Sequence, residues 1–272
     1  MKFSRILAAI LFLFSCSNQN IEEIDLSSYF KGISGTAVFY HPAVSQYKIF
    51  NLPLSKVRTS PCSTFKIMSA NIALSENIIS KENSNLEWNG KNYENPSWNK
   101  TMNINEAFRS SCVWYFRKLI DQIPQEKIKS YLQKNHYGNC DISDWQGKQN
   151  TNTDISELKG FWIESSLQIS PLEQVRFLEK IFSQENQTTQ TLKDIMLVTD
   201  RPIKIYGKTG LGIKDNKVDT AWFVGFYEQN GHKIFFAIRL HDKENSIKDY
   251  RHLASFYAKQ IALDIIQKEK IF

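Results

Sequence analysis

Strands near both ends of the chain, helical periodicity between them and a closing amphipathic helix predict an α/β fold of the α+β type. A mostly antiparallel sheet, built from N- and C-terminal strands and flanked by helices, carries an inserted all-helical subdomain at roughly residues 67–200. With 272 residues, 42% hydrophobic and 23% charged, the chain has the composition of a soluble globular protein and ample material for a core.

Residues 1–16 stand apart. Lys2 and Arg5 form a basic n-region and Ile6 to Phe14 an apolar stretch too short to span a bilayer, which reads as an export signal. Leu13-Phe14-Ser15-Cys16 is similar to a bacterial lipobox, in which Cys16 would be lipidated and anchor the chain to a membrane. Plain cleavage near residues 15–18 is the alternative, because Phe14 is bulky for its place. The expected location is the periplasm, on the outer membrane if the cell has one. Residues 17–30 are expected to be a polar tether, with a single domain over 31–272.

Gly35 to Tyr40 and Gln46 to Asn51 read as strands around a His41-Pro42 turn. Residues 61–74 form an interior helix, with Ser60 as N-cap and Pro61 at its first position. Residues 81–100 are a polar loop punctuated by Asn89-Gly90 and Asn95-Pro96. Helices follow at Asn105 to Ser110, Trp114 to Ile123, and from Pro124 to about His136, with Gly138 a left-handed turn residue. Ser170-Pro171-Leu172-Glu173 is a capping box that opens the next helix, which buries Val175, Leu178, Ile181 and Phe182. A short helix is expected over Thr191 to Val198. Ile203 to Lys208, Thr220 to Tyr227 and Lys233 to Leu240 are strands, the last two joined by an Asn230-Gly231 hairpin turn. The final helix is expected to bury Leu253, Phe256, Tyr257, Ile261, Ile265 and Ile266.

The chemistry begins at Ser63-Thr64-Phe65-Lys66. A serine among unpaired backbone donors at a helix start, with an amine one turn on, has the parts of an acyl-transfer enzyme. A lysine on an otherwise apolar helix needs a reason to be there. Lys208-Thr209-Gly210, at a strand end, offers a cation and a hydroxyl to a carboxylate, beside a glycine that lets a ligand approach the backbone.

These motifs resemble those of the class D, oxacillinase-type, serine β-lactamases and the wider penicillin-recognising fold. The matches are Ser63 to Lys66, Ser111-Cys112-Val113, Tyr137-Gly138-Asn139, Phe161-Trp162, Lys208 to Gly210 and Trp222 to Gly225, in the family's order from about residue 30 onward. The resemblance implies hydrolysis of penicillin-type β-lactams, hence antibiotic resistance. Ser63 would be the acylated nucleophile and Lys66, carboxylated by CO2 to N6-carboxylysine, the general base. Ser111 would relay protons. Val113 would wall the lysine, and Trp162 would hold the carbamate. Lys208, Thr209, Gly210 and Arg251 would bind substrate, and the backbone N–H groups of Ser63 and Leu211 would form the oxyanion hole. Arg239 competes with Arg251. Glu164, in a segment partly resembling that of class A enzymes, is the alternative deacylating base.

No cofactor is implied beyond CO2 or bicarbonate, and no metal. His136 and Cys140 are spaced i, i+4 but lack a second ligand pair. Of the four cysteines, three lie beyond Cys16, so at least one thiol is free; Cys62 and Cys112 read as small buried apolar residues. The formal charge of +6 is dispersed, with no basic stripe or nucleic-acid motif. Expected partners are β-lactam small molecules and, through Cys16, a membrane; the chain would be a monomer or homodimer. The rival readings are a β-lactam sensor or penicillin-binding domain that acylates but barely deacylates. Such sensors carry several membrane spans, whereas the leader here is one short export signal.

Overall fold

A computed structural model describes residues 20–215, 217–242 and 253–272. Cys16 with the whole 1–16 leader, and Arg251, lie outside these described residues.

The elements in chain order are β1 (Asn20–Glu23), α1 (Ser27–Phe30), β2 (Gly35–His41), β3 (Gln46–Phe50) and α2 (Leu52–Ser55). The helical subdomain comprises α3 (Lys66–Ser75), α4 (Ile104–Arg109), α5 (Val113–Ile120), α6 (Gln125–Lys134), α7 (Pro171–Phe182) and α8 (Gln187–Met196). The chain then returns to the sheet through β4 (Leu197–Thr199), β5 (Lys204–Lys214), β6 (Lys217–Gln229) and β7 (His232–Asp242), and closes with α9 (Ala254–Lys268).

One seven-stranded sheet has the order β1-β3-β2-β7-β6-β5-β4. All neighbours are antiparallel except β1 on β3. The expected architecture holds: the N-terminal hairpin joins the C-terminal strands through β2 on β7. Both faces of the sheet are covered, so β6 reads as an almost unbroken apolar run. Trp222, Val224 and Phe226 point into the core shared with the helical subdomain, while Ala221, Phe223 and Tyr227 point into a second core under α9 and α1. Asn230 and Gly231 both have positive φ (52° and 78°), as the two-residue turn between right-twisted strands requires.

Four expectations need correction. Residues 20–30 are not a tether: β1 pairs with β3 from Asn20↔Gln46 to Glu23↔Ile49, and Leu26 and Phe30 are buried in the second core. The strand escaped notice because its side chains are all exposed; backbone pairing and surface contacts of Glu22 with Gln46 and Lys48 hold it. Helix α8 starts at Gln187 rather than Thr191, because Asn186 and Thr189 form a capping box. Lys208-Thr209-Gly210 lies inside the 11-residue β5 instead of at a strand end. Leu253 and Phe256 are exposed; the buried face of α9 is Ala254, Ala258, Ile261, Ala262, Ile265 and Ile266.

Candidate active site

The turn that carries Ser63 departs from the expected helix start. Cys62–Phe65 is a 3-10 turn, and the α-helix begins only at Lys66. In 3-10 geometry residues i and i+3 eclipse, which places the Lys66 Nζ 2.7 Å from the Ser63 Oγ. Ser60 does not cap the helix. Its hydroxyl donates to the Trp162 carbonyl at 2.9 Å and accepts from the Glu164 N–H at 2.8 Å. The Cys62 N–H also bonds the Trp162 carbonyl at 2.9 Å, and the Trp222 indole donates to the Ser60 carbonyl at 3.0 Å. These bonds hold Cys62 at φ 48°, a left-handed conformation that costs a non-glycine residue about 1–3 kcal/mol. Ser111 (φ 56°) and Glu164 (φ 52°) share it, so three residues in this conformation lie on the segments around Ser63.

Lys66 is 0% exposed. Its amine lies 5.5 Å from the centre of the Phe116 ring, while Phe65 stacks on Trp162 with ring centres 5.5 Å apart. Val113, half-buried, stands one turn before Phe116 on the same face of α5. Burial drives the Lys66 pKa down from 10.5 to about 8, opposed weakly by the Cys112 and Cys62 thiols. Those thiols are themselves pushed up by burial, Cys62 to about 12 and Cys112 to about 11, so both are neutral, and both are free, as expected of small apolar core residues. The Trp162 Nε1–H is buried in the same enclosure with no hydrogen-bond partner, an arrangement that costs about 1–3 kcal/mol unless an acceptor fills it. A carbamate on Lys66 is such an acceptor, and the enclosure's chemistry fits it.

Lys208, also buried, donates to the Ser111 Oγ at 3.0 Å and to the Thr209 carbonyl at 3.1 Å. Its pKa lies well below the usual lysine value, first through burial and then through the charges of Lys66 and Lys259. A Cβ added to Gly210 would sit 3.1 Å from the Pro61 carbonyl oxygen and 3.3 Å from the Thr64 nitrogen, so β5 lies tightly against the Ser63 turn and a side chain here would push the two apart by a few tenths of an ångström. β4 pairs with β5 only at Tyr206 and Ile205. From Gly207 onward one edge of β5 therefore has no strand neighbour among the described residues, leaving the backbone at Thr209 and Leu211 free to meet a ligand. Beside that edge opens a cavity of about 260 Å³, lined by Phe108, Arg109, Met196, Lys208, Thr209 and Lys259.

The fold thus brings Ser63, Lys66, Ser111, Val113, Trp162, Lys208, Thr209, Gly210 and Leu211 to one seam between the subdomain and the sheet. It does not bring Arg239 there. That side chain is buried over Trp222 and donates to the Val57 carbonyl at 2.8 Å. Glu164 points away as well: its carboxylate accepts from the Ile213 N–H at 2.6 Å and from Asn152, and neither Ser63 nor Lys66 is a partner. Sequence reasoning missed Phe116, whose i+3 spacing from Val113 was a usable signal. It also missed Arg117, which had none.

Fold and seam define a class: a penicillin-recognising fold with a lysine-paired serine between a sheet edge and a helical subdomain. The chain belongs to the penicillin binding protein transpeptidase domain family, whose model matches residues 34–267. It is 33% identical over 260 residues to Regulatory protein BlaR1 of Bacillus licheniformis, covering 93% of this chain but 40% of that protein. It is 30% identical over 254 residues to Probable beta-lactamase YbxI of Bacillus subtilis, covering 92% of this chain and 86% of the other. The crystal structure of a class D beta-lactamase from Sebaldella termitidis superposes with a TM-score of 0.80 at 30% identity, over 94% of this chain and 100% of that one. The expected resemblance to class D β-lactamases is borne out, and the C-terminal domain of the Bacillus licheniformis BlaR penicillin-receptor superposes with the same TM-score of 0.80 at 32% identity, over 94% of this chain and 98% of that one.

Proposed function

We propose that this protein hydrolyses β-lactams through an acyl-enzyme on Ser63, with carboxylated Lys66 as general base. The observation that carries the reading is a fully buried lysine, bonded to the serine, in an aromatic enclosure that also holds an unpaired indole N–H. With the pKa brought down to about 8, about a tenth of the amine is unprotonated at pH 7, against fewer than one in a thousand for an ordinary lysine. Its lone pair forms a bond to the carbon of CO2, one C=O pair moves to oxygen, and the amine gives up a proton to solvent. Ser63 then loses its proton to the modified Lys66 and attacks the lactam carbonyl. The oxyanion is received by the N–H groups of Ser63 and Leu211, and the ring nitrogen is protonated through Ser111. Lys208 and Thr209 orient the substrate carboxylate, with Arg251 as a further cation. Water, deprotonated by Lys66 in the same way, releases the product. The apolar side chains of Val113 and Phe116, the latter's ring centre 5.5 Å from the amine, support this last step by keeping the lysine in an environment that disfavours its ammonium form.

A second reading has its own support: identity is 33% to the BlaR1 proteins of Bacillus licheniformis and Staphylococcus aureus, above the 30% to YbxI. In that reading Ser63 is acylated and stays so, which is sensing rather than hydrolysis. Incubation of the purified protein with a chromogenic cephalosporin and with labelled penicillin separates the two. Many turnovers per protein, lost in Ser63→Ala, establish hydrolysis; one equivalent of stable label on Ser63 establishes sensing or a transpeptidase-like role. A protein that shows neither turnover nor label on Ser63 refutes both.

A further inference from the structure

Behind Trp162 lies a buried cation. Arg117, in the last turn of α5, is 5% exposed. Its Nη1 donates to the Trp145 carbonyl at 2.8 Å, its Nε to one Asp121 carboxylate oxygen at 2.9 Å, and its Nη2 to the other. The guanidinium carbon is 5.0 Å from the centre of the Trp145 ring and 5.4 Å from that of Trp162. Val113, Phe116 and Arg117 stand at i, i+3 and i+4, so a single helical face supplies the apolar wall, the ring over the Lys66 amine and the cation over the indole.

The ion pair is lopsided. The Asp121 side chain is 50% exposed and its charge is spread into solvent, whereas the guanidinium is enclosed. Net positive potential is therefore left on the inner side, where the Trp162 Nε1–H has no acceptor. A cation over an indole face withdraws electron density from the ring and makes its N–H a stronger donor. Both effects favour an anion over a neutral amine in the enclosure.

We propose that Arg117 is a positioning residue for the modification of Lys66: by fixing Trp162 and placing a permanent charge behind its indole, it stabilises the Lys66 carbamate. This rests on the carboxylated-lysine reading. A residue that merely braced Trp145 and the end of α5 would support folding and leave the carboxylation equilibrium untouched.

The test is a titration of the full chain with ¹³C-bicarbonate, following the carbamate carbon by NMR, alongside urea unfolding. Arg117→Met keeps the length of the stem and removes the charge. It should raise the bicarbonate needed for half-carboxylation by about threefold to tenfold, with partial recovery in Arg117→Lys. An unchanged half-point in a folded Arg117→Met overturns the proposal. Should Arg117→Met fail to fold, Asp121→Asn decides: removing the counter-charge leaves the guanidinium in place and should lower the half-point, and a raised or unchanged value overturns the proposal. Absence of any carbamate signal in the unmutated protein at saturating bicarbonate would instead remove the underlying reading, and this inference with it.

Discussion

Lys66→Met should stabilise the protein while abolishing turnover. In the unfolded chain this lysine holds its proton to about pH 10.4; in the folded protein it loses it near 8, because the amine is buried without a carboxylate. Between those values the native state binds fewer protons than the unfolded state, so stability rises with pH. Below pH 8 the difference is fully present as a penalty. At about 1.4 kcal/mol for each tenfold change in proton affinity, the fall from about 10.4 to about 8 corresponds to roughly 3 kcal/mol. Methionine has similar length and no charge to desolvate, but it forfeits the 2.7 Å bond to Ser63, worth about 1 kcal/mol. The net gain at pH 6–7 is about 2 kcal/mol; it falls as pH climbs through 8 and reverses to a loss of about 1 kcal/mol near 10.5, where only the missing hydrogen bond remains. Urea midpoints measured against pH in CO2-free buffer test this, since carboxylation would offset the penalty in the unmutated protein. A Lys66→Met variant that is less stable at pH 6, or whose gain does not vary with pH, would refute the reasoning.

Trp162→Phe removes the indole N–H and keeps the stack on Phe65. A hydrogen bond to a charged group contributes about 1.5–3 kcal/mol, so deacylation at ambient CO2 should fall by about ten- to a hundredfold, recovering in part with added bicarbonate; stopped-flow acyl-enzyme lifetimes measure it. Ile265→Ala, in the second core and far from the seam, should cost about 2–5 kcal/mol in urea unfolding while the turnover of folded protein stays within about twofold.

Much of the seam was legible because its chemistry is local. A 3-10 turn followed by a helix needs only three residues of separation to place an amine on a hydroxyl, so Ser63 and Lys66 announce each other in one dimension. Lys208, Thr209 and Gly210 are readable for the same reason. Phe116 and Arg117 are different: their meaning comes from Lys66 and Trp162, about fifty residues away on either side, and side-chain periodicity encodes burial without naming the neighbour. Arg117 in particular looks like an ordinary surface cation four residues before Asp121. β1 was misread because an edge strand held by backbone bonds leaves no apolar alternation.

By itself the sequence determined the mixed architecture, the covered sheet and the identity of the serine, its lysine and the motifs around them, since periodicity, caps and turn residues act over short range. Tertiary structure alone decided that Lys66 is wholly enclosed, that Glu164 and Arg239 serve other partners, and that β5 leaves an unpaired edge beside Ser63. Enclosure is a property of several segments closing together, and it is enclosure that moves the Lys66 pKa to about 8. Ser63 and Lys66 are written locally; the environment that encloses the lysine exists only in the folded chain.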